Sequence, residues 1–358
     1  MRILVLSNLY PSVAHPAFGT FVAARVDALR AAGAQVDVVA VHDPAAGRRV
    51  LSKYASLSLR SAAYAIRRRV RGQQVDIVEA HIAFPTGLVA GPVAASLGAP
   101  LVLFAHGADV LEVPWRSRRH EALARRTYAA ARLVIANSEF LAGRLRAAFP
   151  RIAERITVMS PGIEFARFAR RSDPPDQRAG LLYVGRLVAP KGCAVLFHAI
   201  AALEPSSRPR PLTVIGDGPE RVALQALARD LGLEVQFRGE AGRDAVADAM
   251  RAAAVVAVPS TYQEPLGLVA LEAMAAGAIV IASAVGGLAG IVENGVNGLA
   301  VPPDDVAALA AAIGRGLAIA GDPETGARFR AAALKTAEAH DLGPVVQASL
   351  SMYAELAT

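Results

Sequence analysis

One cysteine, Cys193, stands among 358 residues. That excludes a disulfide scaffold and a cysteine-ligated zinc site within the chain, and it fits a reducing compartment. Lysine is nearly absent as well, with 3 against 35 arginines, an imbalance that owes more to coding background than to function. Aromatic residues make up 5%, so the cores must be built mainly from Ala, Val and Leu. No secretory signal is expected: Met1-Arg2 leads into four apolar residues, too few for an h-region. The longest uncharged stretch, Gly87 to Ala105, carries Gly91, Pro92, Gly98 and Pro100. It divides into a buried helix, a turn at Leu97-Gly98-Ala99-Pro100 and a buried strand rather than forming a span. A soluble, cytoplasmic chain is expected. Several chemistries also lack their residues. There is no Asp-x-Asp pair for a metal–nucleotide site, no Walker A, no His-Glu-x-x-His, no Gly-x-Ser-x-Gly and no cysteine-nucleophile motif. No metal site is expected, and neutralising a phosphate then falls to cationic side chains and a helix dipole.

What is present suffices for two packed domains: 54% of residues are apolar and 19% charged. The net charge of +7 hides an asymmetry. Residues 1–171 hold 24 Arg and Lys against 11 Asp and Glu, and residues 172–358 hold 14 against 20. Short apolar runs alternate with helical patterns throughout. In the first half the expected strands are Ile3–Leu6, Val36–Val41, Val75–Glu79, Leu101–Ala105, Leu133–Ala136 and Ile156–Met159. In the second they are Leu181–Val184, Leu212–Ile215, Val235–Phe237, Val255–Val258 and Ile279–Ala282. Such runs, separated by helices, predict parallel sheets covered on both faces. The series occurs twice, around a polar, proline-bearing linker from Arg170 to Asp176. We therefore expect an α/β chain of two doubly wound, Rossmann-like domains, 1–168 and 177–343, facing each other across a cleft that holds the ligand.

The richest segment runs from Pro259 to Gly277. It follows a buried strand and opens a helix, with Pro265 suited to the first turn and Gly277 to the C-terminal end. Backbone N–H groups at Leu266, Gly267 and Leu268 should then be unpaired, an anion site that Gly267 lets a phosphate approach closely. Glu264 and Glu272 are eight positions apart, roughly 12 Å along a helix axis. A glycosidase pair needs roughly 5–9.5 Å, so the two do not act as acid and base on one bond. They suit two parts of one long ligand, such as the sugars on either side of a diphosphate. The alternative makes Glu264 a helix cap and Glu272 an ordinary exposed helical residue, although a solvated charge is out of place in so apolar a stretch. In Tyr183 to Gly192, a strand ends, Gly185 turns, and Arg186 and Lys191 follow: an anion clamp, or two surface cations. Gly216-Asp-Gly-Pro-Glu-Arg221 is a broken dinucleotide fingerprint and reads better as a tight turn. His106, followed by Gly107-Ala108-Asp109, ends a strand at its carboxyl edge, as a ligand contact or as a strand terminator. The turn from Tyr10 to Thr20 brings Gly19 just before a helix, to hold an anion or simply as a loop.

Assembled in order, these segments resemble glycosyltransferase family 4, retaining sugar transferases with the GT-B fold. The resemblance covers nearly the whole chain. Its carriers are Asn8-Leu-Tyr-Pro with Gly19, His106-Gly-Ala-Asp, Asn137-Ser-Glu-Phe, Pro161-Gly-Ile-Glu ending in Phe168, Val184-Gly-Arg-Leu with Lys191-Gly, Gly216-Asp-Gly-Pro, the pair Glu264 and Glu272, and Gly286-Gly through Asn297-Gly-Leu. Two departures stand out: Phe18-Gly19 replaces a glycine pair in the first loop, and Gly290 stands where a carboxylate is common. The resemblance implies no cofactor and no metal, with a nucleotide-sugar donor (UDP- or GDP-sugar) as substrate. It implies that Arg186 and Lys191 hold the donor diphosphate, Glu272 the ribose hydroxyls, and Glu264 with the following amides the transferred sugar, while His106 sits over that sugar. Tyr10, Asp109 and Asn137 are the acceptor-side candidates. A C-terminal helix, within 344–358, should return to the first domain. The acceptor is expected to be a sugar or lipid-linked glycan. The stretch Arg48 to Arg71 interleaves eight cations with Leu, Tyr and Ile, which suits docking on the anionic inner face of a membrane or, equally, a solvated helix face. It has no aromatic stacking platform, so nucleic acid is not an expected partner. Rival readings are a sugar-nucleotide epimerase on the same frame, a nicotinamide-dependent oxidoreductase, which the broken fingerprint disfavours, and a catalytically silent sugar-nucleotide binder.

Overall fold

A computed structural model describes residues 1–15, 18–43, 50–169 and 178–357. Contacts divide the chain into two compact units, Met1–Gly162 with Leu342–Thr358, and Ile163–Asp341. The first unit carries β1 (Arg2–Ser7), β2 (Gln35–Ala40), β3 (Ile77–His81), β4 (Leu101–Ala105), β5 (Leu133–Ala136) and β6 (Ile156–Val158) in one parallel sheet of order β2-β1-β3-β4-β5-β6. The second carries β7 (Ala179–Val184), β8 (Leu212–Ile215), β9 (Val235–Gly239), β10 (Ala253–Val258), β11 (Ile279–Ser283) and β12 (Leu299–Val301) in the order β12-β11-β10-β7-β8-β9, again parallel. The central strands are buried on both faces because helices cover both sides, which is why their sequences read as unbroken apolar runs rather than alternating ones.

All eleven expected strands form. β12 was not anticipated: three residues between turns give too short a run to separate from a loop. The uncharged stretch Gly87 to Ala105 becomes most of the helix Ala83–Leu97, a left-handed Gly98 and β4. Among the described residues, no single helix is long and apolar enough to cross a membrane.

The expected boundary at 168 needs correction. Ile163 N–H donates to the His340 carbonyl at 2.9 Å, and Phe168 is buried in the second unit's core, so Ile163–Phe168 belongs to the second unit. The linker expected at Arg170 to Asp176 lies outside the described residues. The last helix, Leu342–Ala357, packs with the first unit: Leu342, Val346 and Tyr353 are buried in one cluster with Ile3, Val5, Val22 and Val26. That helix contributes side chains to the first unit's interior, described below.

Candidate active site

In the second unit the strand order reverses between β10 and β7, and both strands run the same way, so their following loops emerge side by side. The loop after β7 carries Gly185, Arg186 and Lys191; the loop after β10 carries Glu264 to Gly267. These loops are laced together. Thr261 N–H donates to the Pro190 carbonyl at 2.9 Å. Gly192, at φ +72°, lies so close to Pro259 that a Cβ there would sit 1.8 Å from its carbonyl oxygen. Lys191 Nζ donates to Glu264 Oε1 at 2.5 Å, and lies 5.1 Å from the centroid of the Tyr262 ring. Ser260 Oγ donates to the same carboxylate oxygen at 2.6 Å, and the Tyr262 hydroxyl donates to Oε2 at 2.9 Å. Glu264 is thus buried yet fully engaged, while the ammonium of Lys191 keeps donors to spare.

Arg186 is exposed, and its guanidinium has no partner among the described residues. Its backbone is firmly held. Gly185 N–H donates to the Ile215 carbonyl at 3.0 Å, Leu187 N–H to the Asp217 carbonyl at 2.9 Å, and the Tyr183 hydroxyl to the Arg186 carbonyl at 3.2 Å. Gly216 packs on Gly185 with no room for a side chain: a Cβ would lie 1.9 Å from the Gly185 oxygen. The broken fingerprint is therefore a brace for the Arg186 turn.

One expectation fails here. Pro265 is not in the first helical turn, and Glu264 is not on the helix. The helix is Leu268–Ala275, entered through Gly267 at φ +107°. The backbone of Gly286 and Gly287 packs against Glu264 to Leu266, and Gly287 N–H donates to the Glu264 carbonyl at 2.6 Å, holding that segment out of the helix. The helical separation of the two carboxylates therefore does not apply. The N–H groups of Leu266, Gly267 and Leu268 have no acceptor among the described residues. Glu272 sits within the helix, half-buried, its carboxylate with no hydrogen bond or ion pair among the described residues, which removes the reading of an ordinary exposed residue. Burial pushes its carboxyl up to about 7, with Arg243 opposing the shift and Glu164 adding to it.

In the first unit, His106 follows β4 and is partly exposed. Asp109, offered as an acceptor-side residue, is fully buried and committed elsewhere. Its Oδ1 accepts from the N–H groups of Gly107 at 2.7 Å and His106 at 3.0 Å, and its Oδ2 from Ala83 at 2.8 Å. Burial pushes it up to about 6 against the pull of those donors. It ties the loop after β3 to the loop after β4 and does not face an acceptor. Asn137 is also buried; its Nδ2 donates to the His106 carbonyl at 3.3 Å. Tyr10 is partly exposed, edge-on to His42 at 5.7 Å. Gly19 caps the helix Thr20–Ala31 at φ +75°, and a Cβ there would lie 2.7 Å from the Leu9 backbone, so the turn after β1 requires glycine.

Four residues escaped the reading of the sequence. Glu79 and His81 on β3, Arg25 on the helix after β1 and Tyr353 on the last helix form one buried network. Arg25 Nε donates to Glu79 Oε1 at 2.7 Å and its Nη2 to Oε2 at 3.2 Å, while the Tyr353 hydroxyl donates to Oε2 at 2.6 Å. His81 Nε2 lies 2.7 Å from Glu79 Oε1, and its Nδ1 lies 3.0 Å from His106 Nε2. The available signal was a lone Glu inside the apolar run Ile77-Val-Glu-Ala-His81.

Comparison with known proteins agrees with this architecture. Residues 165–336 match the model for glycosyl transferases group 1, and residues 18–167 that for glycosyltransferase family 4. The chain belongs to glycosyltransferase family 4. It is 35% identical over 244 residues to the D-inositol 3-phosphate glycosyltransferase of Streptomyces scabiei (strain 87.22), covering 63% of this chain and 54% of that one. It is 39% identical over 212 residues to the glycogen synthase of Mycobacterium tuberculosis (strain CDC 1551 / Oshkosh), covering 57% of this chain and 49% of that one. The chain thus spans about half the length of these curated relatives. Anabaena HepE, crystallised with UDP-glucose, superimposes with a TM-score of 0.77 at 23% identity, over 99% of this chain and all of that one, and so shares the fold. That fold is GT-B.

Proposed function

We propose that this family 4 member is a retaining glycosyltransferase that moves a sugar from a UDP- or GDP-sugar to an acceptor hydroxyl without a divalent metal. The observation that carries the reading is the lacing of the loops after β7 and β10, which brings Lys191 against Glu264 beside three unpaired N–H groups. In this reading Arg186, Lys191 and the amides of Leu266, Gly267 and Leu268 bind the diphosphate. Glu264 orients hydroxyls of the transferred sugar, and Glu272 accepts from the ribose diol. His106 contacts that sugar from the first unit.

Breaking the anomeric C–O bond leaves positive charge on the sugar and adds negative charge to the diphosphate. Fixed donors aimed at that leaving oxygen lower the barrier because they bind it more strongly as its charge grows. The acceptor oxygen forms the new bond on the same face, and its proton passes to the departing phosphate oxygen, so no protein nucleophile is needed. Gly19 remains a candidate for the donor's phosphates, and Tyr10 and Asn137 remain the acceptor-side candidates. The named relatives act on acceptors as unlike as an inositol phosphate and glycogen. The acceptor class here, a free glycan or a lipid-linked one, is therefore left to assay.

A peripheral membrane contact through the helix Val50–Val70 is part of the proposal, on narrower grounds than its sequence suggested. Arg48 and Arg49 lie outside the described residues. Arg68 is committed to Asp37, Arg60 to the Ala40 carbonyl and Arg69 to the Ser96 carbonyl. Arg67 and Arg71 stay free among the described residues, beside an exposed stripe of Leu51, Leu59, Ile66 and Val70. Salt-sensitive pelleting with anionic liposomes supports this contact; no pelleting removes it. The catalytic reading is tested by incubating the protein with a panel of UDP- and GDP-sugars, with and without mono- and oligosaccharide acceptors. Transfer with retained anomeric configuration supports it. Sugar interconversion without transfer makes the chain an epimerase, and binding without chemistry makes it a silent binder.

A further inference from the structure

The Arg25–Glu79–His81–His106 chain bears on which nitrogen of the His106 ring carries the proton. The carboxylate of Glu79 is an acceptor only. Burial alone would push it up, but the charge of Arg25 and the bonds from His81 and Arg25 hold it well below the usual carboxylate range. The His81 nitrogen facing it, Nε2, must therefore carry the hydrogen. Burial lowers the affinity of His81 for a second proton by more than the bond and charge of Glu79 raise it, and Arg25 adds to the lowering. A neutral imidazole has one N–H, so His81 Nδ1 is an acceptor. The atom 3.0 Å away, His106 Nε2, must donate to it. Burial, with the charge of Arg25, likewise lowers the affinity of His106 for a second proton, against the pull of Glu79.

The rings are also fixed in place. His81 stacks on Phe104, at 4.8 Å, and its ring lies near-parallel and edge to edge with that of His106, centroids 5.3 Å apart, while Phe21 lies 4.8 Å from His106. The residue after His81, Ile82, is held at φ +60° and ψ +76°, an outlier for a β-branched side chain, and Asp109 accepts from the next N–H. Backbone strain of this kind, of order 1–3 kcal/mol, persists where the surroundings impose it.

We propose that Glu79 and His81 are positioning residues that lock His106 as the neutral Nε2–H tautomer, so that its Nδ1 lone pair is the acceptor offered to a hydroxyl of the donor sugar. The inference rests on the placement of His106 at the transferred sugar proposed above. A neutral acceptor suits a site where the sugar gains positive charge; an imidazolium would oppose it.

The tautomer can be read without any substrate. In protein labelled with ¹⁵N-histidine, with His106 assigned by comparison with His106→Gln, the expected pattern at pH 7 is a protonated, pyrrole-type Nε2 and a pyridine-type Nδ1. The opposite pattern, or two pyrrole-type nitrogens, overturns the proposal. His81→Phe keeps the ring stack and leaves Glu79 with Arg25 and Tyr353. It is expected to mix the His106 tautomers and lower kcat about tenfold or more, with the donor KM within about twofold. His81→Gln, whose amide supplies one donor and one acceptor, is expected to restore the wild-type pattern and most of kcat. If His81→Phe leaves tautomer and kcat as they were, the positioning role is wrong. Should His81→Phe fail to fold, the wild-type spectrum and His81→Gln decide. If the wild type turns over no sugar nucleotide, the functional reading fails while the spectrum still judges the relay.

Discussion

Replacing Glu79 with Gln strands the Arg25 guanidinium in the first unit's interior. Arg25 is 1% exposed and Glu79 fully buried, joined by two bonds at 2.7 and 3.2 Å. The other hydroxyls near Arg25, Ser349 Oγ at 3.0 Å and the Tyr353 hydroxyl at 3.1 Å, carry no charge to offset it. Removing one partner of a buried ion pair costs about 3–5 kcal/mol, chiefly the penalty of the charge left behind. Arg25→Met should cost a similar amount, leaving the carboxylate with only His81 and Tyr353. The double variant Arg25→Met/Glu79→Leu removes both charges and should recover most of the loss, so the two single costs do not add. Trp115, the only tryptophan, lies in the first unit, and its fluorescence during urea unfolding reads that unit separately from the second. Single variants costing under about 1 kcal/mol, or a double variant as unstable as the sum of the singles, would refute the buried pair. Because Glu79 is held far below its ordinary value of 4.5, its contribution is complete above that pH and declines as the solution is acidified further.

The remaining expectations are briefer. Arg186→Ala and Lys191→Ala should each reduce kcat by on the order of 10²–10³, about 3–4 kcal/mol, with the circular dichroism spectrum unchanged; near-wild-type turnover in either removes it from the clamp. With the Glu272 carboxyl raised to about 7, the free protein holds it largely neutral below that pH, so nucleoside diphosphate affinity should rise as pH increases through 7 and then level off. Glu272→Gln should flatten that dependence in titration calorimetry; an unchanged slope assigns it to another group. Gly216→Ala forces a methyl to within 1.9 Å of the Gly185 oxygen at φ +133°, and should cost about 1–3 kcal/mol in thermal unfolding and weaken diphosphate binding. Full stability in that variant would mean the Arg186 turn is not braced there.

The sheets were legible because parallel strands buried on both faces leave continuous Val, Ile and Leu runs, and the Gly and Pro punctuation between them survives any packing. The candidate diphosphate site was legible for a related reason. Gly192 and Gly216 mark places where backbones approach too closely for a side chain, Gly267 stands at a positive φ against the Leu288 side chain, and those places cluster at strand ends. What sequence spacing misjudged was the helix start. Whether Glu264 joins the helix depends on Gly286 and Gly287, more than 20 residues away, and no local propensity reports that contact. The same holds for Asp109: next to His106 in the chain it resembled a ligand contact, yet its oxygens are consumed by three backbone N–H groups, one of them from the loop after β3. The relay behind His106 was hidden for the opposite reason. Arg25, Glu79, His81 and Tyr353 come from three separate regions of the chain, and only folding places the last helix against β3.

The central claim is that cations at the ends of β7 and β10, with the N-terminus of the helix Leu268–Ala275, hold the diphosphate of a sugar nucleotide without a metal. Isothermal titration of UDP and GDP, in EDTA, into the wild type and Arg186→Ala/Lys191→Ala tests it most directly. The account predicts that at least one nucleotide binds the wild type, and that the double variant loses roughly 10²-fold or more in affinity, since each charged hydrogen bond contributes about 1.5–3 kcal/mol. Binding that requires added magnesium or manganese, or that survives loss of both cations, would contradict it.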